Sequence, residues 1–349
     1  MSEENKFTPI KNLGEFALID RIKLKARDKN KNTIKGIGDD ASVINGSKKE
    51  SIVISTDMLI QGVHFDLMYV PLLHLGYKSV TSNLSDIYAM NAKPEQILVS
   101  IAISNKFSVE AIEEIYEGVK KACDFHKVDL VGGDTTSSGT GLVISITAIG
   151  RTNPKSLTYR NTAKKGDILM VSGDLGSAYL GLQVLEREKA VFKENPNMQP
   201  QLNEHQYILQ RQLRPEARKD VVEMLEDMQV IPTAMIDISD GLASEVLHIC
   251  QQSKVGVIVY EENIPIDPSA VEVACDFNIN PTTCAMNGGE DYELLFTINA
   301  KDLPKFKNHP HFTSLGEIVS KEKGASLILK GGNSYKIVAQ GWNSLLEKD

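Results

Sequence analysis

Hydrophobic positions along this chain follow two spacings, one typical of helices and one typical of strands. Apolar and small residues recur at intervals of three and four between Leu72 and Ala92, which predicts a helix that ends before Pro94. Residues 96–103 and 142–149 are strand-like, and residues 108–125 have the spacing of an amphipathic helix. Helices and strands that alternate in this way predict a layered α/β (α+β) fold.

A polar, proline-bearing segment at residues 151–155 divides the chain. Beyond it, the sequence again predicts strands and helices, so we expect two domains, 1–150 and 151–349. A length of 349 residues agrees with two domains. Residues 186–206 are rich in Glu, Lys, Asn, Gln and Pro, and we expect a surface excursion there with no functional role.

Composition narrows the class of protein. The chain is 42% hydrophobic and 24% charged, which is typical of a folded globular protein. A formal net charge of -8 argues against a nucleic-acid surface. The amino terminus is polar and acidic, no run of about 18 apolar residues occurs, and four scattered cysteines form no metal motif. We therefore expect a cytoplasmic protein without a membrane or nucleic-acid partner.

One local pattern, an apolar run that ends in an acid, occurs several times. Gly36-Ile37-Gly38-Asp39-Asp40 precedes an apolar segment, and similar runs lead to Asp57, Asp134 and Asp237. An isolated Gly-Asp pair is most simply a turn. Recurrence favours a different interpretation, in which several carboxylates from distant segments form one metal site. Asp40 is expected to face that site, and Asp39 to turn toward the backbone.

Two glycine pairs are also followed by acids. Gly288-Gly289-Glu290-Asp291 runs into an apolar strand, and Gly132-Gly133-Asp134 follows an apolar run. Glycine lets a backbone approach a ligand closely, and a carboxylate can accept from a substrate amine or bind a metal. The alternative for both segments is a turn whose acids face solvent.

Other candidates have equally plain alternatives. Asp240 has the position of a helix N-cap, Asp86 would be an acid on a solvated helix face, and Arg160 and His64 are each compatible with an ordinary surface role. No P-loop or protein-kinase signature is present. Oxygen ligands select hard cations such as Mg²⁺, which proteins commonly share with phosphates. Phosphoryl transfer is the predicted chemistry.

Seven motifs, in order, resemble those of the thiamine-monophosphate kinase family, a branch of the aminoimidazole-ribonucleotide-synthetase-like superfamily. They are Gly-Ile-Gly-Asp-Asp at 36–40, Ser-Thr-Asp-Met-Leu at 55–59, Gly-Val-His-Phe at 62–65, Asn-Leu-Ser-Asp at 83–86, Gly-Gly-Asp-Thr-Thr at 132–136, Ile-Asp-Ile-Ser-Asp-Gly-Leu at 236–242 and Gly-Gly-Glu-Asp-Tyr-Glu-Leu at 288–294. The resemblance implies the two-domain synthetase-like fold and a homodimer that pairs through the amino-terminal sheets. It also implies ATP-dependent conversion of thiamine monophosphate to thiamine diphosphate on several Mg²⁺ ions.

The resemblance implies roles for individual residues. The expected metal ligands are Asp40, Ser55, Thr56, Asp57, Asp86, Asp134, Asp237 and Asp240. The expected ATP contacts are Gly133, Asp134, Arg160 and Ser239, and the expected thiamine-phosphate contacts are His64, Glu290 and Trp342. Asp57, Asp134 and Arg160 are the expected catalytic residues. Domain 1–150 would carry the metal and ATP site, and domain 151–349 would complete it.

Two other functions are compatible with the same residues. The chain could be another ATP-dependent synthetase of the superfamily that activates an amide or a selenide. It could also be a non-catalytic protein that binds divalent cations or nucleotides. Turnover of ATP with an acceptor distinguishes the enzymes from the binding protein, and the identity of the acceptor distinguishes the two enzymes.

Overall fold

A computed structural model describes residue 13, residues 15–26 and residues 28–340. Trp342, one of the expected substrate contacts, lies outside the described residues. No helix within the described ranges has the length and apolar character needed to cross a membrane. The four cysteines are free thiols: Cys123 and Cys284 are buried, Cys250 is half-buried and Cys275 is exposed.

The first layer is a six-stranded sheet with two long helices on one face. In chain order its elements are α1 (Glu15–Lys25), β1 (Thr33–Lys35), β2 (Ser42–Ser47), β3 (Glu50–Ile60), α2 (Leu72–Ala89), β4 (Lys93–Ile103), α3 (Val109–His126), β5 (Asp129–Ser137) and β6 (Val143–Thr152). The strand order is β1-β2-β3-β6-β4-β5. Among the described strands of this sheet, β4 and β5 are the one parallel pair, because α3 connects them as a crossover.

Helix boundaries in this layer follow local chemistry. The side chain of Ser108 accepts a hydrogen bond from the Ala111 backbone N–H at 3.2 Å and so caps α3. Lys127 ends α3 in a left-handed conformation, and α2 ends at Ala89 before Pro94. The helices predicted at 72–92 and 108–125 and the strands predicted at 96–103 and 142–149 are confirmed, with ends that differ by a few residues.

The second layer is a seven-stranded sheet with helices around it. Its elements in chain order are β7 (Ile168–Ser172), α4 (Ser177–Glu194), α5 (Gln206–Leu213), α6 (Lys219–Asp227), β8 (Ala234–Asp237), α7 (Leu242–Ser253), β9 (Gly256–Tyr260), α8 (Pro268–Asp276), α9 (Pro281–Asn287), β10 (Leu294–Ile298), β11 (Phe312–Val319), β12 (Ala325–Ile328) and β13 (Ser334–Lys336). The strand order is β13-β12-β9-β11-β7-β10-β8. Helix α4 extends to Glu194, so the expected surface excursion at 186–206 begins as regular helix.

Helix α2 joins the two layers. Fourteen of its residues are buried, and its core cluster includes side chains of the second layer such as Met235 and Phe296. Its polar side chains also cross between layers, because the Tyr77 hydroxyl donates to Glu216 at 2.7 Å and Ser85 donates to Asp237 at 2.7 Å. The two layers are therefore held around one buried helix.

The opposite face of the first sheet is open. Strand β5 is exposed along its whole length, and Met58 on β3 is 52% exposed. Residues of β3 and β6 alternate between buried positions under α2 and less buried positions on this second face. Within the part of the chain that the structure describes, the first sheet thus has one face covered by helices and one exposed, partly apolar face.

We predict that Gly118→Ala destabilises the protein by about 1–3 kcal/mol, because α2 and α3 cross closely there. A Cβ at residue 118 would lie 2.0 Å from the backbone oxygen of Leu73. Urea unfolding measures the effect. Gly139→Ala is the matched control, since nothing lies within 4 Å of its added Cβ. Equal stability of the two variants would contradict the close packing of these helices.

Candidate active site

Three carboxylates from different parts of the chain converge between the layers. Asp40 follows a turn in which Gly38 has a φ of 119°, Asp86 lies on α2, and Asp237 is the last residue of β8. One oxygen from each lies within 4.8 Å of the others, so the three can hold a metal ion. The sequence prediction that distant acids gather at one place is met by these three residues.

Neighbouring hydroxyl groups orient the acids. Ser55 on β3 donates to Asp86, and Ser85 on α2 donates to Asp237 Oδ2 at 2.7 Å. Arg160 donates to Asp40 Oδ1, but the buried Asp40 Oδ2 has no hydrogen-bond partner among the described residues. A buried oxygen without a partner is costly, and a bound cation would satisfy it.

Crowding makes ionisation of these acids difficult. Burial and neighbouring carboxylates raise the pKa of Asp40 and Asp86 well above the usual range, and burial also raises the pKa of Asp237. The pKa of Asp57 is raised to about 6, by burial first and then by Asp237 and Glu15. The pKa of Asp240 is raised to about 7 by burial first and then by nearby acids including Glu15. Positive charge brought among these acids would relieve the repulsion.

Asp39 and Asp40 differ in role, as expected. Asp39 accepts from the backbone N–H of Arg160 at 3.2 Å and pairs with Lys35 at 3.0 Å. Its carboxylate is therefore occupied in fixing the turn against the segment that carries Arg160. Asp40 is left to face the other acids.

The three residues at 55–57 project in two directions. Alternation along β3 places Ser55 and Asp57 on the face under α2, toward the acid cluster. Thr56 faces the opposite way. Its hydroxyl donates to the Ile146 carbonyl at 3.0 Å and lies 3.2 Å from the Thr147 hydroxyl. Ser55 and Asp57 are thus placed with the acids, whereas the Thr56 side chain is not.

Asp134 does not join the acid cluster within one chain. It pairs in register with Ser100 on β4. Ser100 pairs with Ser145 on β6, and Ser145 pairs with Met58 on β3. Asp134 therefore lies three strands from β3, about 14 Å away, on the open face of the sheet. Gly133 has a packing role here, since a Cβ would lie 1.7 Å from the Val99 carbonyl oxygen.

Around Asp240, the structure corrects one interpretation and adds one residue. Helix α7 has Gly241 at its N-cap position and no side-chain cap, so Asp240 is not needed as a cap. The buried carboxylate of Glu245 accepts from the Asp240 backbone N–H at 3.0 Å. Sequence reasoning missed Glu245, although an acid in the first turn after Ser-Asp-Gly is a recognisable signal.

The Gly-Gly-Glu-Asp loop separates its acids between cleft and core. Glu290 is held by Lys78 at 2.8 Å and by Gln212 at 2.8 Å, and it faces the cleft. Asp291 is buried and accepts from the Gly176 backbone N–H at 2.8 Å, at the start of α4. Glu293 is buried against two arginines, Arg211 and Arg218. Only Glu290 remains available to a ligand.

A large cleft, of about 2180 Å³, lies between the layers and contains most of the expected residues. Those that line it are Asp40, Ser55, Thr56, Asp57, His64, Asp86, Arg160, Asp237, Ser239, Asp240 and Glu290. His64 accepts from the Ile60 backbone N–H at 3.0 Å, and burial lowers its pKa. Glu186 and Lys189 of α4 also line the cleft, so the first residues of the expected surface excursion at 186–206 lie beside the site.

Comparison with known proteins gives the class of this fold. Residues 38–152 match the family model of the AIR synthase related protein, N-terminal domain, and residues 164–309 match that of the C-terminal domain. A solved structure described as hydrogenase maturation protein HypE in complex with ATP has a TM-score of 0.65, covers 82% of this chain and 84% of that one, and is 18% identical. This likeness shows the fold alone. The chain is a two-domain protein of the AIR synthase related class, as the sequence predicted.

Closer relatives define the family. Thiamine-monophosphate kinase of Aquifex aeolicus is 34% identical over 334 residues, which cover 95% of this chain and 98% of that protein. The Escherichia coli enzyme is 30% identical, and the match covers 91% of this chain and 94% of that protein. The structure described as AaThiL complexed with AMPPCP and TMP has a TM-score of 0.80, 31% identity and coverage of 98% and 99%. The chain belongs to the thiamine-monophosphate kinase family.

The raised acid pKa values predict that the metal-free protein becomes less stable as pH rises from about 5 to 8. Asp57 and Asp240, with pKa values of about 6 and 7, bind protons in the folded state that the unfolded chain has already released. Stability therefore falls as pH rises through those values. Thermal unfolding with EDTA and with excess Mg²⁺ measures this, and Mg²⁺ should reduce the loss.

The Asp86→Asn variant tests the same explanation by removing one of the acids. The variant removes one buried charge but keeps an oxygen that can accept from Ser55, so its unfolding midpoint in EDTA at pH 8 should rise by a few degrees. Its stabilisation by Mg²⁺ should largely disappear. A lower midpoint in EDTA together with unchanged Mg²⁺ stabilisation would contradict a repulsive, metal-binding cluster.

Proposed function

We propose that this protein transfers the γ-phosphoryl group of ATP to thiamine monophosphate, giving ADP and thiamine diphosphate. The observation that carries the proposal is the convergence of Asp40, Asp86 and Asp237 in one interdomain cleft of a chain that belongs to the thiamine-monophosphate kinase family. The name of the AaThiL complex supports ATP and thiamine phosphate as ligands of such a cleft.

The donor set fits Mg²⁺. Asp40, Asp86 and Asp237 supply carboxylate oxygens within 4.8 Å of one another, and no other described residue forms a hydrogen bond with the buried Asp40 Oδ2. We propose that these three hold magnesium, with Ser55, Asp57 and Asp240 as further contacts. Magnesium bound there would reduce the charge repulsion between the two phosphate-bearing substrates.

The chain's own residues orient the transfer. A terminal phosphate oxygen of thiamine monophosphate attacks the γ-phosphorus, a P–O bond forms, the bond to the β,γ-bridging oxygen breaks, and ADP leaves. The attacking phosphate has a second pKa near 6, so it is largely ionised at neutral pH and needs no catalytic base. Arg160, beside Asp40, and Ser239 would contact ATP phosphates, while His64 and Glu290 would contact the acceptor.

We also propose a homodimer in which the open faces of the first sheets pair. The exposed strand β5 and the exposed side chain of Met58 support this arrangement. Since Asp134 lies on that face and away from the cluster of its own chain, we propose that it acts in the site of the partner subunit, together with Gly133. Domain 1–150 then carries the metal, ATP and dimer contacts, and domain 151–349 completes the site.

Incubation with ATP, Mg²⁺ and thiamine monophosphate should yield ADP and thiamine diphosphate in equal amounts, measured by chromatography. Asp57→Asn should lower kcat at least 100-fold, which corresponds to about 2.7 kcal/mol, because Asp57 lies among the cluster acids. Asp276→Asn, at an exposed position of α8 that does not line the cleft, is the charge-matched control. Phosphorylation of a different acceptor, or ATP binding without turnover, would overturn the proposal.

Mixing of two inactive chains tests the role of Asp134. In a dimer of Asp57→Asn and Asp134→Asn chains, one of two sites keeps both acids if each site takes Asp134 from the partner. Unfolding and refolding an equimolar mixture should therefore restore about a quarter of wild-type activity, since half of the dimers are mixed. No recovery in dimers proven to be mixed would contradict a shared site.

A further inference from the structure

Lys78 is a buried lysine in the middle of α2, and the phosphoryl transfer proposed above does not use it. It is 4% exposed, although lysine is almost never buried to this extent without a partner. It is not part of the cleft lining, so its ammonium group lies behind the surface that a ligand would meet. Its role must therefore act through another residue.

The partner of Lys78 is Glu290. Lys78 Nζ lies 2.8 Å from Glu290 Oε1 and donates to the Gln212 backbone carbonyl at 3.1 Å. Gln212 in turn donates from Nε2 to Glu290 Oε2 at 2.8 Å. Both oxygens of the carboxylate are thus held by the protein. Each oxygen still has an acceptor site left, because a carboxylate offers about four.

Glu290 is held in a strained position. Its backbone φ is 57°, a left-handed conformation that is uncommon for a residue other than glycine. Its side chain is 30% exposed and lines the cleft, whereas the Lys78 side chain is 6% exposed. Strain of this kind clusters at sites that bind ligands. A purely structural ion pair would have no need to present one partner to an open cleft.

Helix α2 links this pair to the acid cluster. Lys78, Ser82 and Asp86 are spaced by four residues and so lie along neighbouring turns of one helix surface. Eight residues of helix separate Lys78 from Asp86 by about 12 Å. Because α2 is buried along most of its length, this spacing is fixed by the fold.

We propose that Lys78 is a positioning residue that fixes Glu290 as the recognition point for the nitrogen-bearing ring end of the acceptor. This inference rests on the proposed function. The acceptor carries its phosphate at one end and a cationic ring joined to an aminopyrimidine at the other. The phosphate of the acceptor lies at the Asp86 end of α2. The carboxylate of Glu290 then accepts a hydrogen bond from an N–H group of the ring system or lies against its positive charge. Lys78 and Gln212 hold that carboxylate so that it is aimed into the cleft.

Steady-state kinetics of Lys78→Met test the inference. The KM for thiamine monophosphate should rise about tenfold or more, since a charge-assisted hydrogen bond loses its orientation. The KM for ATP should stay within about twofold, because the acid cluster lies two helical turns away. Lys93→Met is the matched control: Lys93 forms an exposed ion pair at 2.7 Å with Glu226 and should tolerate the change. Equal changes in both KM values, or no change in either, would overturn the inference.

A double variant separates positioning from folding. Lys78→Met leaves a charged Glu290 without its cation and can lower stability, whereas Lys78→Met/Glu290→Gln removes both charges. We expect the double variant to unfold near the wild-type temperature and to have the acceptor KM of Glu290→Gln alone. Recovery of the wild-type acceptor KM would show a purely structural role and overturn the inference. Wild-type protein that does not phosphorylate thiamine monophosphate would instead overturn the proposed function.

Discussion

Repulsion between carboxylates is the constraint on which this structure depends. Asp40, Asp86 and Asp237 come from a loop, a buried helix and a strand end, yet their oxygens lie within 4.8 Å. Like charges at this distance do not stay together unless the surrounding fold holds them. Helix α2 does this by packing into both layers, and Ser55 and Ser85 donate hydrogen bonds to the acids. The packing of the interdomain core therefore offsets the repulsion among the carboxylates of the site.

Neighbouring acids with similar local sequences have different roles because their partners differ. Asp39 pairs with Lys35 and accepts from a backbone N–H, whereas Asp40 pairs with Arg160 and lies with Asp86 and Asp237. In the second layer, Asp291 accepts from the backbone at the start of α4, and Glu290 faces the cleft. In each pair of neighbouring acids, one acid stabilises the loop and the loop directs the other acid into the cleft.

Sequence reasoning predicted the main helices and strands, since hydrophobic spacing in α2, α3 and β4 is regular. It also predicted that acids from distant segments meet, as Asp40 from a loop, Asp86 from α2 and Asp237 from a strand end do. It could not place Asp134, whose position depends on which face of the sheet each residue of β5 occupies. Lys78 gave no distinct signal, since a lysine within a helix is ordinary until its burial is known. Residues 186–194 were misread because polar composition concealed a helix whose cleft-facing side carries Glu186.

The most direct test of a shared carboxylate metal site is a crystal structure with Mn²⁺ in place of Mg²⁺, an unreactive ATP analogue and thiamine monophosphate. Anomalous scattering locates manganese independently of the protein atoms. We predict at least one peak within about 2.5 Å of oxygens from Asp40, Asp86 and Asp237. Well-ordered substrates with manganese bound only by phosphates and water, and none on these three carboxylates, would contradict the account.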